Sequence, residues 1–389
     1  MKIVHLIDYF QPKIGYQETF LSRGHQKLGY NVSVVTSNYY YPFPDYENTY
    51  GKVLGDRKLT PGQKIEEGIN IVRLSSFEIT GTPLIFLSGL ENIFKHELPD
   101  LVICHGVFSL TSFRIAGIKK KYGFKLIYDT HAAHFNTDFS STFSKRFYIS
   151  LFRKFAVAKI LKARDSVFAI GEDERDLLCE EFGLDKSAVP IIRLGVDTSL
   201  FKYSLNKRKE TRKKLGIKDK EILIISTGKI SSNKDIHILV EAINRLKDEK
   251  IKILLIGGGD KGYIDDLKVK TWNRNSLIII PFMENRFLSG YYSASDLAVW
   301  SGDSTIAIQE ALATGLSVIL PKYYGNMFLD DSKGVIRFKR GDTSDLSEKI
   351  RNLAYNKALR KKCGRKGKFF TQSNLSWEKI SHKVLDLLD

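Results

Sequence analysis

The chain has 389 residues and a formal net charge of +17 at pH 7, with 43% hydrophobic and 27% charged residues. This length exceeds the usual size of one domain, and the composition is that of a globular protein, so we expect two domains of similar size. The positive charge favours anionic partners. Because no nucleic-acid-binding module is recognisable, we expect a phosphate-bearing substrate and an anionic membrane surface rather than nucleic acid.

Three separated cysteines, Cys104, Cys179 and Cys363, form neither a metal-binding nor a disulfide pattern. They indicate a reducing compartment and no structural zinc. The apolar stretch at residues 2–7 is shorter than a signal-peptide core and is predicted to be the first strand. No apolar run approaches the ~18–20 residues needed to cross a bilayer. We therefore expect a cytoplasmic protein, with peripheral attachment to the inner face of the membrane as a further hypothesis.

Short β-branched runs alternate with amphipathic stretches, which is typical of parallel sheets covered by helices on both faces. In the first half we predict strands at 2–6, 31–36, 69–74, 101–104, 125–128, 166–170 and 189–192, and helices at 18–28 and 172–181. In the second half we predict strands at 221–226, 252–256, 277–280, 297–300, 317–320 and 334–337, and helices at 235–246, 286–294 and 345–355. The polar segment 202–220 is predicted to be a linker. The expected fold class is α/β, with two doubly wound domains.

The loop after the first strand of the second half carries Lys229 and Lys234. Lys234 stands near the start of a helix, where the helix dipole disfavours a cation unless an anion is shared with the backbone N–H groups. A diphosphate would satisfy both lysines. Two solvated loop lysines remain the alternative interpretation.

A second cluster follows the strand at 297–300, where the small polar residues Asp303, Ser304 and Thr305 precede a helix. The N-terminal amides of this helix suit a phosphate, with Asp303 or Ser304 as the cap. Glu310 lies on the same, mostly apolar helix and needs a polar partner. Ribose hydroxyls are one option, and an exposed position on the helix surface is the other.

These two clusters together resemble a known family. Lys229 and Lys234 are five positions apart after a strand, and residues 310–318 have the order Glu-Ala-x-Ala-x-Gly-x-x-Val. Both features resemble the retaining GT-B glycosyltransferases of glycosyltransferase family 4. Weaker matches extend the resemblance over nearly the whole chain, at Gly24-His25, at 194–197 with Phe201, at Ser295-Asp296 and at Trp377.

The resemblance implies a GT-B fold, in which two facing Rossmann-like domains bind the substrates and a C-terminal helix crosses back to the first domain. The first domain would comprise residues 1–203 with 375–389, and the second, nucleotide-sugar-binding domain residues 204–374. In the second domain Lys229 and Lys234 would bind the donor diphosphate and Glu310 the ribose. Ser304 and Thr305 would contact the phosphate and the donor sugar.

Four further site residues follow from the resemblance. Gly15 would let the backbone of the first domain approach the diphosphate, and His131 would face the donor sugar and the acceptor. Phe282 and Met283 lie where the nucleobase is contacted in the family.

One position departs from the family's pattern. The family commonly has a second glutamate eight residues before the ribose glutamate, where it holds the donor sugar, and here that position is Gly302. Asp303 beside it is a candidate substitute, and the identity of the sugar stays open. Lys229 also stands where arginine is frequent, which keeps the charge but loses the bidentate fork.

The resemblance implies a hexosyltransferase-type enzyme that moves a sugar from a UDP- or GDP-sugar to a hydroxyl of a glycan or lipid-linked acceptor, with retained anomeric configuration. Such a reaction belongs to the assembly of surface polysaccharides or glycoconjugates. No cofactor and no metal are expected, because the lysines and a helix N-terminus supply positive charge and no DxD pair stands out. A nucleotide-sugar epimerase and a catalytically silent partner subunit are the alternatives.

Residues 145–164 carry seven Lys or Arg and no acid, and Phe143, Phe147, Leu151, Phe152 and Phe155 lie in or next to this segment. A basic helix with aromatic residues suits an anionic membrane surface. Alternatively, the aromatic residues pack on the sheet. We predict that the aromatic residues are buried and that the charges face the membrane.

Overall fold

A computed structural model describes residues 1–43, 45–79, 84–134, 137, 143–302 and 305–388. The chain divides into two compact units, Met1–Leu194 with Trp377–Asp389 and Gly195–Ser376. Each unit contains a sheet of mainly parallel strands with helices between them, so the predicted α/β class is confirmed. No helix in these residues is long and apolar enough to span a membrane.

The first unit is built on a seven-stranded sheet. Its strands are β1 (Lys2–Ile7), β2 (Asn31–Ser37), β3 (Gly62–Glu66), β4 (Ile69–Leu74), β7 (Leu101–His105), β8 (Lys125–Thr130) and β9 (Ser166–Ala169), while β5 (Ser76–Glu78) pairs with β6 (Ile85–Leu87) separately. The order in the sheet is β3-β4-β2-β1-β7-β8-β9, and β3 pairs with β4 antiparallel. The helices are α1 (Gln17–Lys27), α2 (Gly51–Leu54), α3 (Leu90–Glu97), α4 (Leu110–Tyr122), α5 (Phe143–Leu151), α6 (Ala158–Ala163), α7 (Glu172–Phe182) and the C-terminal α15 (Trp377–Leu385), with a π-helical segment Phe152–Val157 between α5 and α6.

The second unit is built on a six-stranded parallel sheet. Its strands are β10 (Ile222–Thr227), β11 (Ile251–Ile256), β12 (Leu277–Ile280), β13 (Leu297–Val299), β14 (Ser317–Pro321) and β15 (Val335–Phe338), in the order β12-β11-β10-β13-β14-β15. The helices are α8 (Leu205–Leu215), α9 (Ile236–Leu246), α10 (Lys261–Lys270), α11 (Leu288–Ala294), α12 (Ala307–Thr314), α13 (Thr343–Tyr355) and α14 (Lys357–Asn374). Hydrophobic cores lie on both faces of this sheet.

The strand order places one crevice in each unit. The chain winds outward from β1 in one direction and from β7 in the other, and it does the same from β10 and β13. Ligands of open α/β sheets bind beyond the carboxyl ends of the two strands at such a switch point. The loops after β1, β7, β10 and β13 are therefore the places to look for a site.

The C-terminal helix belongs to the first unit, as the family resemblance implied. In α15 the ring of Trp377 stacks on Phe20 of α1, with centroids 5.3 Å apart. A Cβ atom at Gly24 would lie 2.0 Å from Oγ of Ser381. The glycine of the Gly24-His25 pair thus lets α15 pack directly against α1.

Two predictions of local structure were wrong. No strand forms at 189–192, because Pro190 has no N–H to donate. Two backbone hydrogen bonds join this segment to β9: the N–H of Ala169 donates to the carbonyl of Pro190, and the N–H of Ile192 donates to the carbonyl of Ala169. Strands β3 and β5 were missed because they are partly exposed and lack a continuous apolar run, and β6 was missed because its apolar run is only three residues long.

The segment predicted to be a linker contains helix α8, which packs against α11. Arg208 donates to Oδ1 of Asp296 at 2.8 Å, and the buried Arg212 donates to Oδ2 at 3.2 Å. The same Oδ2 accepts the N–H of Leu223 at the start of β10, at 2.9 Å. Two of the basic residues that suggested a linker, Arg208 and Arg212, therefore bind one carboxylate.

We expect Asp296→Asn to lower the free energy of unfolding of the second unit by about 3 kcal/mol, because it leaves two largely buried guanidinium groups facing a neutral amide. Urea denaturation followed by tryptophan fluorescence measures the change. Asp265→Asn, which removes the exposed ion pair with Lys268, is the control and should leave the transition unchanged. Equal stability of both variants would show that the carboxylate does not hold α8 in place.

Candidate active site

Loops of the second unit meet at the carboxyl edge between β10 and β11. A Cβ atom at Gly257 would lie 1.8 Å from the carbonyl oxygen of Gly228, and one at Gly259 would lie 1.8 Å from that of Ile230. No side chain fits at either position, so the backbone of the loop after β11 lies directly on the backbone of the loop after β10. This contact fixes the loop that carries the two lysines.

The loop after β13 also lies on this lysine loop. A Cβ atom at Gly302 would lie 2.6 Å from the carbonyl oxygen of Lys234, and Oγ of Ser301 donates to the carbonyl of Asp235 at 2.6 Å. A glutamate at Gly302, as the family has it, would therefore collide with the backbone of Lys234. The departure from the family's pattern thus accompanies direct contact between the two loops.

Of the three polar residues predicted before α12, Asp303 and Ser304 lie outside the described residues. Thr305 is half-buried, and its carbonyl oxygen accepts the N–H of Ile308 at 3.2 Å, in the first turn of the helix. The helix ends as predicted at Gly315, which has φ +92°.

Lys229 and Lys234 lie at the carboxyl edge of the second sheet. Lys229 is exposed and Lys234 is half-buried, and neither ammonium group is in an ion pair with a described residue. Lys234 belongs to the 3₁₀ turn Ser232–Lys234, and Asp235, with φ +52°, separates it from α9. Lys234 is therefore one residue farther from the helix start than predicted.

Glu310 is buried, with 3% of its surface exposed, so the alternative interpretation of a glutamate exposed on the surface of α12 is wrong. Asn285 Nδ2 donates to its Oε1 at 2.6 Å and Tyr292 Oη to its Oε2 at 3.0 Å, while Thr227 at the end of β10 contacts the same hydroxyl at 2.8 Å. Burial raises the pKa of Glu310 to about 7. Sequence reasoning missed Asn285 and Tyr292, because no spacing links them to Glu310.

Phe282 and Met283 follow β12 and are half-buried. The Cβ atom of Phe282 lies 3.6 Å from the point where a Cβ of Gly258 would stand, so Phe282 borders the loop after β11. Met283 packs against the hydrophobic core of the unit.

The first unit has a pocket of about 470 Å³ at the carboxyl ends of β1 and β7, and His131 lines it. Gly15 has φ +67° and directly precedes Tyr16 in its wall. The other lining residues are Ile7, Asp8, Tyr9, Gln11, Glu18, Tyr41, Phe43, His105, Gly106 and Ser109. An aromatic wall with several polar groups suits a polar, ring-shaped ligand.

The charge on His131 is set by a buried neighbour. Its Nε2 lies 3.6 Å from Oδ2 of Asp129, which is fully buried at the end of β8. Burial alone would lower the pKa of His131, but the carboxylate of Asp129 outweighs it and raises the pKa to about 9. The ring is thus a cation near neutral pH, able to donate a hydrogen bond but not to take a proton.

The carboxyl groups of the pocket are shielded from water. Burial raises the pKa of Asp8 to about 6, and it raises the pKa of Glu18 as well. Gln11 is 2% exposed, and its Nε2 has no hydrogen-bond partner among the described residues. A ligand with hydroxyl groups could accept from this amide and donate to the carboxyl groups.

His105, Asp129 and His131 are close enough for their ligand atoms to share an ion. His105 Nδ1, however, lies 2.6 Å from Asp129 Oδ2. Two ligands of a tetrahedral ion at ~2.0 Å would be roughly 3.2 Å apart. The short distance is that of a charge-assisted hydrogen bond, and this donor set does not fit a metal.

Comparison with known families finds two matches. Residues 207–370 match the family described as "Glycosyl transferases group 1", and residues 19–200 match "Glycosyltransferase Family 4".

Curated relatives share part of their length with the chain. An alpha-monoglucosyldiacylglycerol synthase of Streptococcus pneumoniae is 29% identical over 201 residues, which are 49% of this chain and 45% of that protein. A UDP-Gal:alpha-D-GlcNAc-diphosphoundecaprenol alpha-1,3-galactosyltransferase of Escherichia coli is 23% identical over 62% of each chain. The chain therefore spans about half to two thirds of these relatives.

Solved structures of other proteins are similar in fold to this chain over nearly its full length. HepE of Anabaena in complex with UDP has a TM-score of 0.74 at 16% identity, covering 100% of this chain and 99% of that one. A glycosyltransferase from Rickettsia africae has a TM-score of 0.75 at 16% identity, covering 99% and 97%. With matches to both halves and this fold, the chain belongs to the GT-B glycosyltransferases of the family 4 type.

Proposed function

We propose that this glycosyltransferase moves a sugar from a nucleotide-diphosphate sugar to an acceptor hydroxyl, with retained anomeric configuration and without a metal. The observation that carries the proposal is the convergence of the lysine loop with the glycine loops of β11 and β13 at the switch point of the second sheet. Two uncompensated lysines at a parallel-sheet edge are suited to a diphosphate.

The nucleoside end of the donor would lie beside these lysines. Glu310 has each carboxyl oxygen held by one donor, so each oxygen can still accept from a ribose hydroxyl. The buried Oδ1 of Asn285 has no partner among the described residues and offers a third acceptor. Structures similar in fold contain UDP and UDP-glucose, which supports a uridine nucleotide.

The pocket of the first unit would hold the sugar and the acceptor hydroxyl. Because the pKa of His131 is raised to about 9, this residue acts as a hydrogen-bond donor and not as a base. The proton of the acceptor would then leave with the phosphate oxygen of the departing diphosphate, whose charge Lys229 and Lys234 stabilise. This route needs neither a metal nor a protein base.

The acceptor would be glycan or lipid-linked, as the names of the two curated relatives suggest for those proteins. The helical segment 143–163 supports this, because most of its aromatic residues are exposed, whereas burial was predicted. Phe143, Phe147 and Phe155 are 78%, 57% and 59% exposed, and of the four phenylalanines only Phe152 packs into the core. The prediction of buried aromatic residues was wrong because spacing defines a helical stripe but not the side that faces solvent.

The exposed stripe lies among positive charges. Lys145, Arg146 and Lys154 are exposed beside it, and Nζ of Lys154 lies 5.3 Å from the ring centre of Phe155. Arg153 is also exposed and is paired with Glu181. Aromatic residues flanked by Lys and Arg favour the surface of an anionic membrane, so we propose a peripheral cytoplasmic enzyme at the inner leaflet.

We expect Lys229→Ala and Lys234→Ala each to lower kcat/KM for sugar transfer at least a hundredfold, about 2.7 kcal/mol of transition-state stabilisation. The assay measures radiolabelled sugar moved from UDP- and GDP-sugars to a lipid-extract acceptor. Lys250→Ala, at the amino end of the same sheet, is the matched control and should be as active as the parent.

Near-native transfer by both lysine variants would refute the assignment of the diphosphate site. Release of a free sugar epimer would favour an epimerase, and donor binding without any turnover would favour a silent partner subunit.

The donor should bind more tightly as pH rises from 6 to 8. Burial holds the pKa of Glu310 near 7 in the free protein, and a ribose hydroxyl donates best to the ionised carboxylate, so binding favours loss of that proton. Calorimetry with a UDP-sugar, whose diphosphate does not titrate in this range, should show up to a tenfold fall in Kd. Glu310→Gln should flatten the profile; an unchanged profile in this variant would exclude a ribose contact.

Phe147→Ser and Phe155→Ser should each weaken binding to anionic vesicles roughly tenfold, because each removes an aromatic side chain from the bilayer interface. Cosedimentation with vesicles at 0.1 M and 1 M salt measures the effect, and binding of the parent should fade at high salt. Phe369→Ser, 73% exposed on α14, is the matched control. Equal binding by all three variants would refute the membrane surface.

A further inference from the structure

A continuous chain of buried histidines lies behind the pocket of the first unit. His105 Nδ1 is 2.6 Å from Asp129 Oδ2, and His105 Nε2 is 2.9 Å from His5 Nδ1. His5 Nε2 is 3.1 Å from His25 Nδ1, and His25 Nε2 is 3.2 Å from the carbonyl oxygen of Ser381. The three rings are at most 5% exposed, so each contact must be satisfied within the chain.

The protons in this chain can be counted. It has four contacts, and both of its ends, the carboxylate of Asp129 and the carbonyl of Ser381, are acceptors. Each contact needs one proton, but three neutral imidazoles carry only three. With all rings neutral, one contact would place two lone pairs against each other in a buried site, which is unfavourable. The neighbouring histidines outweigh burial and lower the pKa of Asp129, so its carboxylate carries no proton to donate. The chain is therefore complete only if one ring carries a second proton.

We infer that His105 holds this extra proton and donates to Asp129 on one side and to His5 on the other. The pKa of His5 is well below its ordinary value because of burial, and burial lowers the pKa of His25 to about 4. These two rings are thus neutral, and each donates from Nε2 toward Ser381. Only His105 lies directly against a carboxylate.

The extra proton gives the chain a positioning role in sugar transfer. Oδ2 of Asp129 lies between His105 and His131, and its Oδ1 accepts the N–H of Gly106 at 3.0 Å. A doubly protonated His105 holds the carboxylate in one orientation and so fixes the direction in which His131 faces the pocket. Through Ser381 this arrangement also depends on helix α15.

Other charged groups face the chain from neighbouring helices. Glu18 of α1 interacts electrostatically with His105, and His382 of α15 lowers the pKa of His25. Glu174 of α7 acts on His131. These neighbours place the positive charge at the Asp129 end of the chain.

Nitrogen NMR of the protein labelled with ¹⁵N-histidine tests the inference at pH 7.5 without substrate. We expect both ring nitrogens of His105 to carry protons, and only Nε2 of His5 and His25. Resonances are assigned with single-histidine variants. A single proton on His105 would overturn the inference, whether or not the protein proves to transfer a sugar.

Two variants at His25, which touches neither Asp129 nor His105, sharpen the test. In His25→Leu only the contacts between Asp129 and His105 and between His105 and His5 remain. Two neutral imidazoles supply the two protons that these contacts need, so the extra proton should leave His105. His25→Gln keeps an acceptor oxygen toward His5 and a donor toward Ser381, so the proton should stay. His96→Leu, at an exposed site, is the control. A doubly protonated His105 in His25→Leu would overturn the proton count.

Kinetics of the same variants test the positioning role. His25→Leu should lower kcat roughly tenfold, with KM for the donor nearly unchanged, because misdirection of His131 affects the reacting geometry and not donor binding. His25→Gln should restore most of kcat. Equal kcat in folded Leu and Gln variants would refute the positioning role while leaving the protonation result intact.

Discussion

The carboxylate of Asp129 is a charge without access to water, and the pocket of the first unit is arranged around it. An ionised carboxylate in an apolar interior is strongly unfavourable unless hydrogen bonds and opposite charges surround it. Gly106, His105 and His131 supply these partners from the loop after β7 and from the ends of β7 and β8. Burial alone would raise the pKa of Asp129, but the charges and hydrogen bonds of the two histidines outweigh it and lower that pKa. The pocket therefore keeps a cationic histidine opposite two shielded carboxyl groups.

The second unit places positive charge at the carboxyl edge of its sheet, where Lys229 and Lys234 stand without an ion pair among the described residues. Its lysine loop is held by backbone-to-backbone contacts, and these exist only because Gly257, Gly259 and Gly302 have no Cβ. A glutamate at position 302 would not fit this packing. The residue that departs from the family's pattern therefore also lets the loop after β13 lie directly on the backbone of Lys234.

Buried Glu310 links this edge to the core. Its partners come from the loop after β12 and from α11, and Thr227 connects them to the end of β10. A carboxyl group with a pKa near neutrality changes charge easily when a ligand donates to it.

The exposed aromatic side chains of the segment 143–163 contribute to neither of these sites. Exposed aromatic residues beside basic ones suit an interface between water and lipid.

The sequence by itself determined the α/β class, the positions of most strands and the lysine loop. Buried parallel strands appear as continuous apolar runs, and the loops that follow them hold the ligands. Tertiary structure alone decided the partners of Glu310, the histidine chain and the side of the 143–163 helix that faces solvent. His25 and Ser381 are 356 positions apart, and His5 and His105 are 100 apart. No local period encodes such contacts, because they arise only when separate strands and helices pack together.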